Sequence, residues 1–507
     1  MDALLSGIEL LLRWDVALAL VVGSVGGVII GAIPGVGAAV AIAILLPATF
    51  SMDPIVGLTL LLGIYGSSMY GGAIPAILIN TPGTAVNALT TYDGYPMTRR
   101  GEARRALSLA YSASFWGGLF GISCLMFLSP LLALVAPHFG SREIFLAALL
   151  GIVLVVLAHR GQVFAAGMLA AFGMLLNTVG LNPVTYQKQM TFGQSWLTGG
   201  FDLIVVVLGL FALSQAFLLL VEDDQTPKPQ RVEGSLFSGL KDIWLFRRIA
   251  TVGSSFGVMM GMIPGVGEFT SQFLSYTYAR RTSKTPEAFG DGAPEGLVAS
   301  EAANNSVPPA ALIPLLALGI PGEALTAMML SVFYVHNVIP GPQLFETQLD
   351  FVYALYVSLM ILNVIVVLFL LSATNLLTKI IQIPTRYLGM MILTLAFIGV
   401  YSIRNSVIDC MVASSFGFLG LILRRLNLPT VPIVLGMVLG GIMEAKLRTA
   451  MMRVSSPLDF VNRPIAALLF LAIVYVLVMH VVTLRREHRQ RLAKADQDTD
   501  IHDTQFR

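Results

Sequence analysis

An acid and two amides inside an otherwise apolar chain are the residues whose chemistry stands out. Glu301, Asn304 and Asn305 lie in the run Glu295-Gly-Leu-Val-Ala-Ser-Glu301-Ala-Ala-Asn-Asn305-Ser306. On a helix, their i, i+3 and i+4 spacing puts the three on one face. At membrane depth such a face serves coupling-ion or proton chemistry. In a cytoplasmic loop after Arg280, Arg281 and Lys284 it would be a solvated surface, and the sequence leaves both placements open. Four Pro-Gly breaks flank these residues: Pro34-Gly35-Val36-Gly37, Asn80-Thr81-Pro82-Gly83-Thr84, Pro264-Gly265-Val266-Gly267 and Gly319-Ile320-Pro321-Gly322. Proline removes a backbone N–H and clashes with the preceding turn. Glycine lets the chain leave helical dihedrals. Irregular backbone at membrane depth persists only where protein buries it or it lines a wet cavity. A half-helix N-terminus presents free N–H groups to an anion, and unwound carbonyls can hold Na+. All of these break residues except Ile320 are therefore candidate substrate contacts, and the backbone near Asn80 and Gly319 is a candidate Na+ site. One isolated Pro-Gly would read as a kink; four in two matched pairs resemble the broken midplane helices of secondary transporters. Glu268 and Glu323 follow breaks, and Glu323 would stabilise the first turn of its half-helix without any transport role.

The elements that position these residues are repeated. Residues 22–37 recur as 252–267, an offset of 230 (252 − 22). Among the identical pairs are Gly23/Gly253, Ser24/Ser254, Gly27/Gly257, Gly31/Gly261, Pro34/Pro264, Gly35/Gly265 and Gly37/Gly267. Further on the offset becomes 239 (322 − 83), matching Pro75, Pro82 and Gly83 to Pro314, Pro321 and Gly322, because the second repeat inserts residues near 281–290. The two halves differ in loop charge. Arg99, Arg100, Arg104 and Arg105 have no basic counterpart at 336–344, and Arg280, Arg281 and Lys284 have none at 48–54. Lys and Arg concentrate in cytoplasmic loops, so the asymmetry predicts repeats of inverted topology. Basic residues at both ends of the element 247–281 favour a re-entrant hairpin over one long broken crossing.

Composition sets the class. The 507 residues are 56% hydrophobic and 12% charged, against about 25% charged in soluble domains. Apolar runs of spanning length predict an all-α polytopic membrane protein with about 12 transmembrane helices in two inverted repeats, broken or re-entrant at the midplane. The expected organisation is an amphipathic segment 1–15, a first repeat half 16–221, a cytoplasmic linker 222–248, a second half 249–484 and a polar, mobile cytoplasmic tail 485–507. A net charge of +2 argues against nucleic acid, and the two cysteines, Cys124 and Cys410, sit in apolar segments. There is no Gly-x-x-x-x-Gly-Lys-Ser/Thr phosphate loop. No Ser-His or metal constellation argues for an enzyme, and none of His138, His159 and His336 is placed for a metal role. Arg386 and Arg404 read as topology anchors.

Several runs together resemble the large membrane subunit of the bacterial tripartite tricarboxylate transporter family. They are Gly31-Ala-Ile-Pro-Gly-Val-Gly37, Tyr70-Gly-Gly72, Ile77-Leu-Ile-Asn-Thr-Pro-Gly83, Asp93-Gly-Tyr-Pro96, Gly261-Met-Ile-Pro-Gly-Val-Gly267, Gly290-Asp-Gly-Ala-Pro-Glu-Gly296, Glu301-Ala-Ala-Asn-Asn305, Leu318-Gly-Ile-Pro-Gly322 and Pro340-Gly-Pro342. The resemblance implies a permease of the bacterial inner membrane with a cytoplasmic C-terminus, importing tricarboxylates or related organic acids by Na+ or H+ symport and without other cofactors. It implies two partners, a small four-helix membrane subunit and a periplasmic substrate-binding protein. A further likeness to dicarboxylate transporters implies an elevator motion. The rival readings are a carboxylate-selective channel and a stand-alone ion-coupled carrier.

Overall fold

A computed structural model describes residues 2–159, 161–182, 186–221, 238–380, 382–452 and 456–505. The first half contains α1 (Asp2–Leu12), α2 (Trp14–Gly31), α3 (Gly37–Thr49), α4 (Pro54–Ile79), α5 (Thr90–Arg99), α6 (Ala103–Val135), α7 (Ser141–Ala158), α8 (Val163–Asn177), α9 (Leu203–Val207) and α10 (Ser214–Val221). A π-helical turn at Leu208–Leu213 joins α9 to α10, and a two-stranded hairpin, β1 (Gly180–Leu181) with β2 (Lys188–Gln189), follows α8. The second half contains α11 (Ser238–Asp242), α12 (Arg247–Gly261), α13 (Gly267–Thr282), α14 (Pro294–Leu318), α15 (Ala324–Val335), α16 (Pro342–Thr347), α17 (Leu349–Ile380), α18 (Thr385–Arg404), α19 (Val407–Arg425), α20 (Val431–Met451) and α21 (Pro464–Gln505).

The protein is an all-α polytopic membrane protein. Among the described residues, nine helices are long and apolar enough to cross a membrane. The sequence predicts about 12 because it also counts the runs beginning near Val163, Ile249 and Pro432: α8 is apolar but short, α12 is cut from α13 at Pro264, and α20 carries Glu444, Lys446 and Arg448. Most of the predicted linker, residues 222–237, lies outside the described residues. α21 continues through the segment expected to be a mobile tail, as far as Gln505.

The first broken element of the second half is a hairpin. A Cβ on Gly253 of α12 would lie 2.7 Å from Ser275 Oγ of α13. Both residues are eleven positions from Pro264 (264 − 253 and 275 − 264), so the half-helices run back to back with their outer ends at the start of α14. Ser275 Oγ donates to Ala299 O at 2.7 Å, which fixes the register of α13 on α14. In the first half, α2 lies beside α4, with Gly23 against Leu60 and Gly31 against Ser68, and α3 turns directly into α4 through four residues, 50–53.

Helix directions follow from side-chain pairings. α4 opposes α6: Thr98 Oγ1 of α5, just before α6, donates to Ile77 O near the end of α4, and Asn363 ties Tyr70 of α4 to Phe115 O of α6. α6 runs alongside α14, with Gly117 against Ala302 and Gly121 against Ser306. It opposes α17, where Tyr111 meets Thr374 and Ser129 meets Tyr356. The equivalent helices α4 and α14 therefore run in opposite directions, as do α6 and α17. The contacts between halves are reciprocal: α1 reaches across to α17 through Gly7 and Asp350, and α11 reaches across to α6 through Gly239 N and Ser108 Oγ at 3.0 Å.

Between helices in lipid, small residues that let backbones touch replace the hydrophobic driving force. Gly27 and Gly257 are the clearest pair. A Cβ at either would overlap a serine hydroxyl, Ser67 or Ser306, at matching places in the two halves. Overpacking costs about 1–3 kcal/mol. Gly27→Ala and Gly257→Ala are therefore expected to lower the thermal midpoint of the detergent-solubilised protein. Gly26→Ala, with nothing within 4 Å of its added carbon, should leave the midpoint unchanged. Equal midpoints for all three variants would show that these glycine seams do not hold α2 to α4 and α12 to α14.

Candidate functional site

The breaks meet in pairs. α2 ends before Pro34, and Gly35 and Gly37 take positive φ of 78° and 63°; Gly265 and Gly267 take 76° and 61°. That turn frees the Gly35 N–H from its helix, and it donates to Gly83 O at 3.0 Å. The equivalent Gly265 N–H donates to Gly322 O at 2.7 Å. α4 and α14 end in the same way, on left-handed Asn80 (φ 57°) and Gly319 (φ 69°). Thr81 N then bonds Pro75 O and Ile320 N bonds Pro314 O, at 3.4 and 3.3 Å. In each half, one break supplies the hydrogen-bond partner that the other would lack in lipid.

The pairs differ in slack. A Cβ on Gly83 would overlap Gly31 O and come within 2.7 Å of Gly72 Cα, whereas one on Gly322 meets Gly261 O only at 3.2 Å. Val36, Gly83, Thr84, Pro321 and Gly322 are buried, while Pro34, Gly37, Pro82, Pro264, Val266 and Gly267 are half-buried. Thr84 Oγ1 bonds Asn87, and its methyl faces Gly37. The side chains of Asn80 and Thr81 are exposed at the end of α4.

Glu301 lies in a helix, not a loop. α14 carries it at 0% exposure between the two halves. Its carboxylate accepts from four side chains: Thr90 Oγ1, Ser114 Oγ at 2.8 Å, Asn87 Nδ2 at 3.5 Å and Asn305 Nδ2 at 3.4 Å. Three of these donors belong to the first half. No lysine or arginine pairs with Glu301 among the described residues. A carboxylate desolvated this completely needs a cation or a proton to accompany it. The sequence does not mark Asn87, Thr90 and Ser114, because single small polar residues in apolar helices are ordinary; only the fold brings them to one acid.

Asn304 and Asn305 leave Glu301 in different directions. Asn305 turns back to it, also bonding its carbonyl at 3.1 Å. Asn304 is fully buried, and neither its Nδ2 nor its Oδ1 has a partner. The Ser275–Ala299 bond sets α13 antiparallel to α14, so Gln272, one turn nearer the break, stands level with the Ala302–Asn304 turn. Both polar atoms of Gln272 are also buried without a partner, as is one oxygen each of Glu268 and Glu323. Buried polar atoms are almost always satisfied, so these open donors and acceptors are candidate contacts for a polar ligand. Gln272 replaces Ile42 of the first half, and Asn304 replaces Tyr65. No group of three or more His, Cys, Asp or Glu poised for a metal occurs among the described residues.

A second clasp positions α14. Asp93 of α5 is fully buried, and its Oδ1 accepts the N–H groups of Gly290, Gly292 and Ala293 at 2.9, 3.0 and 2.8 Å. Those amides lie in the stretch where the second repeat is longer, just before α14. Gly296 leaves room for the other carboxylate oxygen. Arg100 and Asp291 pair at 2.8 Å over the clasp, and Tyr276 packs edge-on between Tyr92 and Phe289. Two of the sequence motifs, Asp93-Gly-Tyr-Pro96 and Gly290-Asp-Gly-Ala-Pro-Glu-Gly296, are thus the two sides of one contact between halves.

Comparison with known proteins finds relatives of the chain by sequence. A profile described as the tripartite tricarboxylate transporter TctA family matches residues 17–435. An uncharacterized 52.8 kDa protein of Agrobacterium vitis, from the TAR-I ttuC' 3' region, is 36% identical over 479 residues, covering 92% of this chain and 94% of the relative. An uncharacterized protein from the TAR-II ttuC' 3' region of the same organism is 35% identical over 242 residues, covering 47% of this chain and all of the relative. No solved structure matches the chain.

Asp93 yields a stability prediction. Asp93→Ala strands three backbone N–H groups, and leaving buried donors unmade costs about 1–3 kcal/mol. Its thermal midpoint in detergent should fall well below wild type, with Asp93→Asn between them because one acceptor oxygen remains. An unchanged Asp93→Ala midpoint would remove the clasp from the account of how α14 is held.

Proposed function

The chain belongs to the tripartite tricarboxylate transporter TctA family, and from that premise we propose that it is the permease of an ion-coupled importer of organic acids. It is a multi-pass membrane protein and a large subunit of a transporter with other subunits. In our reading a periplasmic binding protein delivers a tricarboxylate or related acid, a small four-helix membrane subunit completes the assembly, and Na+ or H+ drives uptake. The bacterial inner membrane is its site, with the C-terminus in the cytoplasm.

The observation that carries this reading is the gathering of four backbone breaks into two hydrogen-bonded pairs, the first of them joined through Thr84 and Asn87 to a buried acid with no cation partner among the described residues. A coupling cation, or a proton, neutralises Glu301 and ties the first-half donors Asn87, Thr90 and Ser114 to α14. The carboxylate substrate uses the open amides Asn304 and Gln272 and the N–H groups of the breaks. Such an anion is repelled by Glu301 unless a positive charge sits between them, which makes cation and substrate binding mutually dependent. Candidate substrate contacts remain the break residues Pro34 to Gly37, Pro82 to Thr84, Pro264 to Gly267, Pro321 and Gly322. The exposed side chains of Asn80 and Thr81 leave only their backbone for an Na+ site, together with that of Gly319.

We read the halves as inverted repeats, supported by the opposed directions of α4 and α14 and of α6 and α17. The glycine seams that hold the hairpins on α4 and α14 support our reading that these elements shift as one body in an elevator motion.

Two measurements test the proposal. Initial uptake of labelled citrate into proteoliposomes containing all three subunits should depend on a Na+ or proton gradient. In Glu301→Gln that dependence should flatten while the protein remains folded; a wild-type gradient dependence retained in Glu301→Gln would rule out its coupling role. For topology, Arg99→Cys and Gln343→Cys, both exposed positions, should react with an impermeant thiol reagent from the cytoplasm and the periplasm respectively. Reaction of both from one side would refute the inverted repeat. Thr98, although adjacent, is buried and bonded to Ile77 O, so it does not serve as a labelling site.

A further inference from the structure

A cavity of about 580 Å3 lies apart from the Glu301 cluster, among α8, α9, α15 and α20 and the end of α18. Ala327, Leu330, Ser331 and Tyr334 line it at the i, i+3, i+4 and i+7 positions of α15, so one whole face of that helix forms its wall. Ala327 is four residues past Glu323, about 6 Å along the helix at 1.5 Å per residue. The wall therefore runs from the exposed end of α15, at Tyr334, inward to Ala327, five residues short of Gly322.

The side chains that line the cavity carry a net positive charge, with Asp409 outside the lining on the Arg404 side. Its charged lining consists of Asp202, Arg404 and Lys446, joined by the amide of Asn177. Asp202 is committed on both oxygens: Oδ2 to Arg404 Nη2 at 2.9 Å, and Oδ1 to Ile204 N at 2.8 Å at the start of α9. Lys446 is half-buried and has no hydrogen bond or ion pair among the described residues. The neighbouring acid on its helix, Glu444, is paired with Arg448 at 2.7 Å. Lys446 is the lining cation without a direct partner among the described residues, in a largely apolar hollow where low-dielectric walls focus its field on an entering anion.

We propose that this cavity is a carboxylate-binding vestibule in which the substrate anion docks on Lys446 before it passes along α15 to the second-half break. The inference deepens the transporter reading and rests on it for the identity of the substrate. Lys446 supplies the charge. Asn177 and Ser331 supply neutral hydrogen bonds, and Arg404 is held by Asp202 as a fixed part of the rim. The sequence conceals this because Lys446 and Arg404 stand at helix ends, where basic residues ordinarily anchor topology.

The test uses the full chain in detergent, with Cys124 and Cys410 replaced by alanine and Tyr334→Cys, at the exposed end of the cavity wall, as a reporter. The rate of its modification by a thiol-reactive sulfonate is measured in citrate and in chloride of equal ionic strength. Citrate is expected to slow modification at least threefold. Lys446→Arg should keep that protection and Lys446→Gln should lose it, with unchanged gel-filtration profiles. Equal rates in citrate and chloride overturn the vestibule, and so does protection that survives Lys446→Gln. Because protection is read without partners or gradients, it separates from the transporter reading: citrate protection without gradient-driven uptake by the assembled transporter upholds the site and breaks that reading.

Discussion

A backbone N–H with no partner cannot persist in hydrocarbon, and this structure is arranged around the two places where the chain risks one. Each half interrupts two helices with Pro-Gly, and each resolves the interruption by one bond, Gly35 to Gly83 and Gly265 to Gly322. The bond requires the hairpin tip to reach the end of the long helix, which in turn requires the hairpin to lie flat on that helix. Gly27 and Gly257 allow this by bringing α2 onto α4 and α12 onto α14. Small residues, helix register and break geometry are thus consequences of one constraint.

On that repeated scaffold the chemistry is placed once. The positions of Glu301, Asn304, Asn305 and Gln272 are Leu62, Tyr65, Gly66 and Ile42 in the first half. The first half contributes instead the donors Asn87, Thr90 and Ser114, so the polar centre spans the boundary between halves and neither half contains it alone. The clasp of Asp93 on the amides before α14 sits on the same boundary. It fixes the end of the helix that bears Glu301, two turns along. A repeat that duplicates backbone but divides its polar groups in this way couples any change at the site to the fit between halves.

The cavity beside α15 extends this division of labour outward. Its apolar wall belongs to the second half's broken element, while Asp202 and Asn177 come from the first half and Arg404 and Lys446 from the closing helices. The second break, at Gly322, is the looser of the two matched sites by the room around its Cα.

The sequence by itself determined the class, the repeat and the breaks. Composition, matched Pro-Gly pairs and the face shared by Glu301 and Asn305 are local or periodic, and helix geometry translates them directly. The motifs Asp93-Gly-Tyr-Pro96 and Gly290-Asp-Gly-Ala-Pro-Glu-Gly296 were visible as motifs, but nothing in either string says that one grips the other. Which residues satisfy Glu301 was likewise invisible: Asn87, Thr90 and Ser114 are about two hundred positions from it in the chain (301 − 87 = 214). Tertiary structure alone decided the hairpin against the crossing, the helical placement of Glu301 and the unpaired state of Asn304 and Gln272. The physical reason is that burial and hydrogen-bond satisfaction belong to contacts between distant segments, whereas a sequence read along its length records only what each segment prefers for itself.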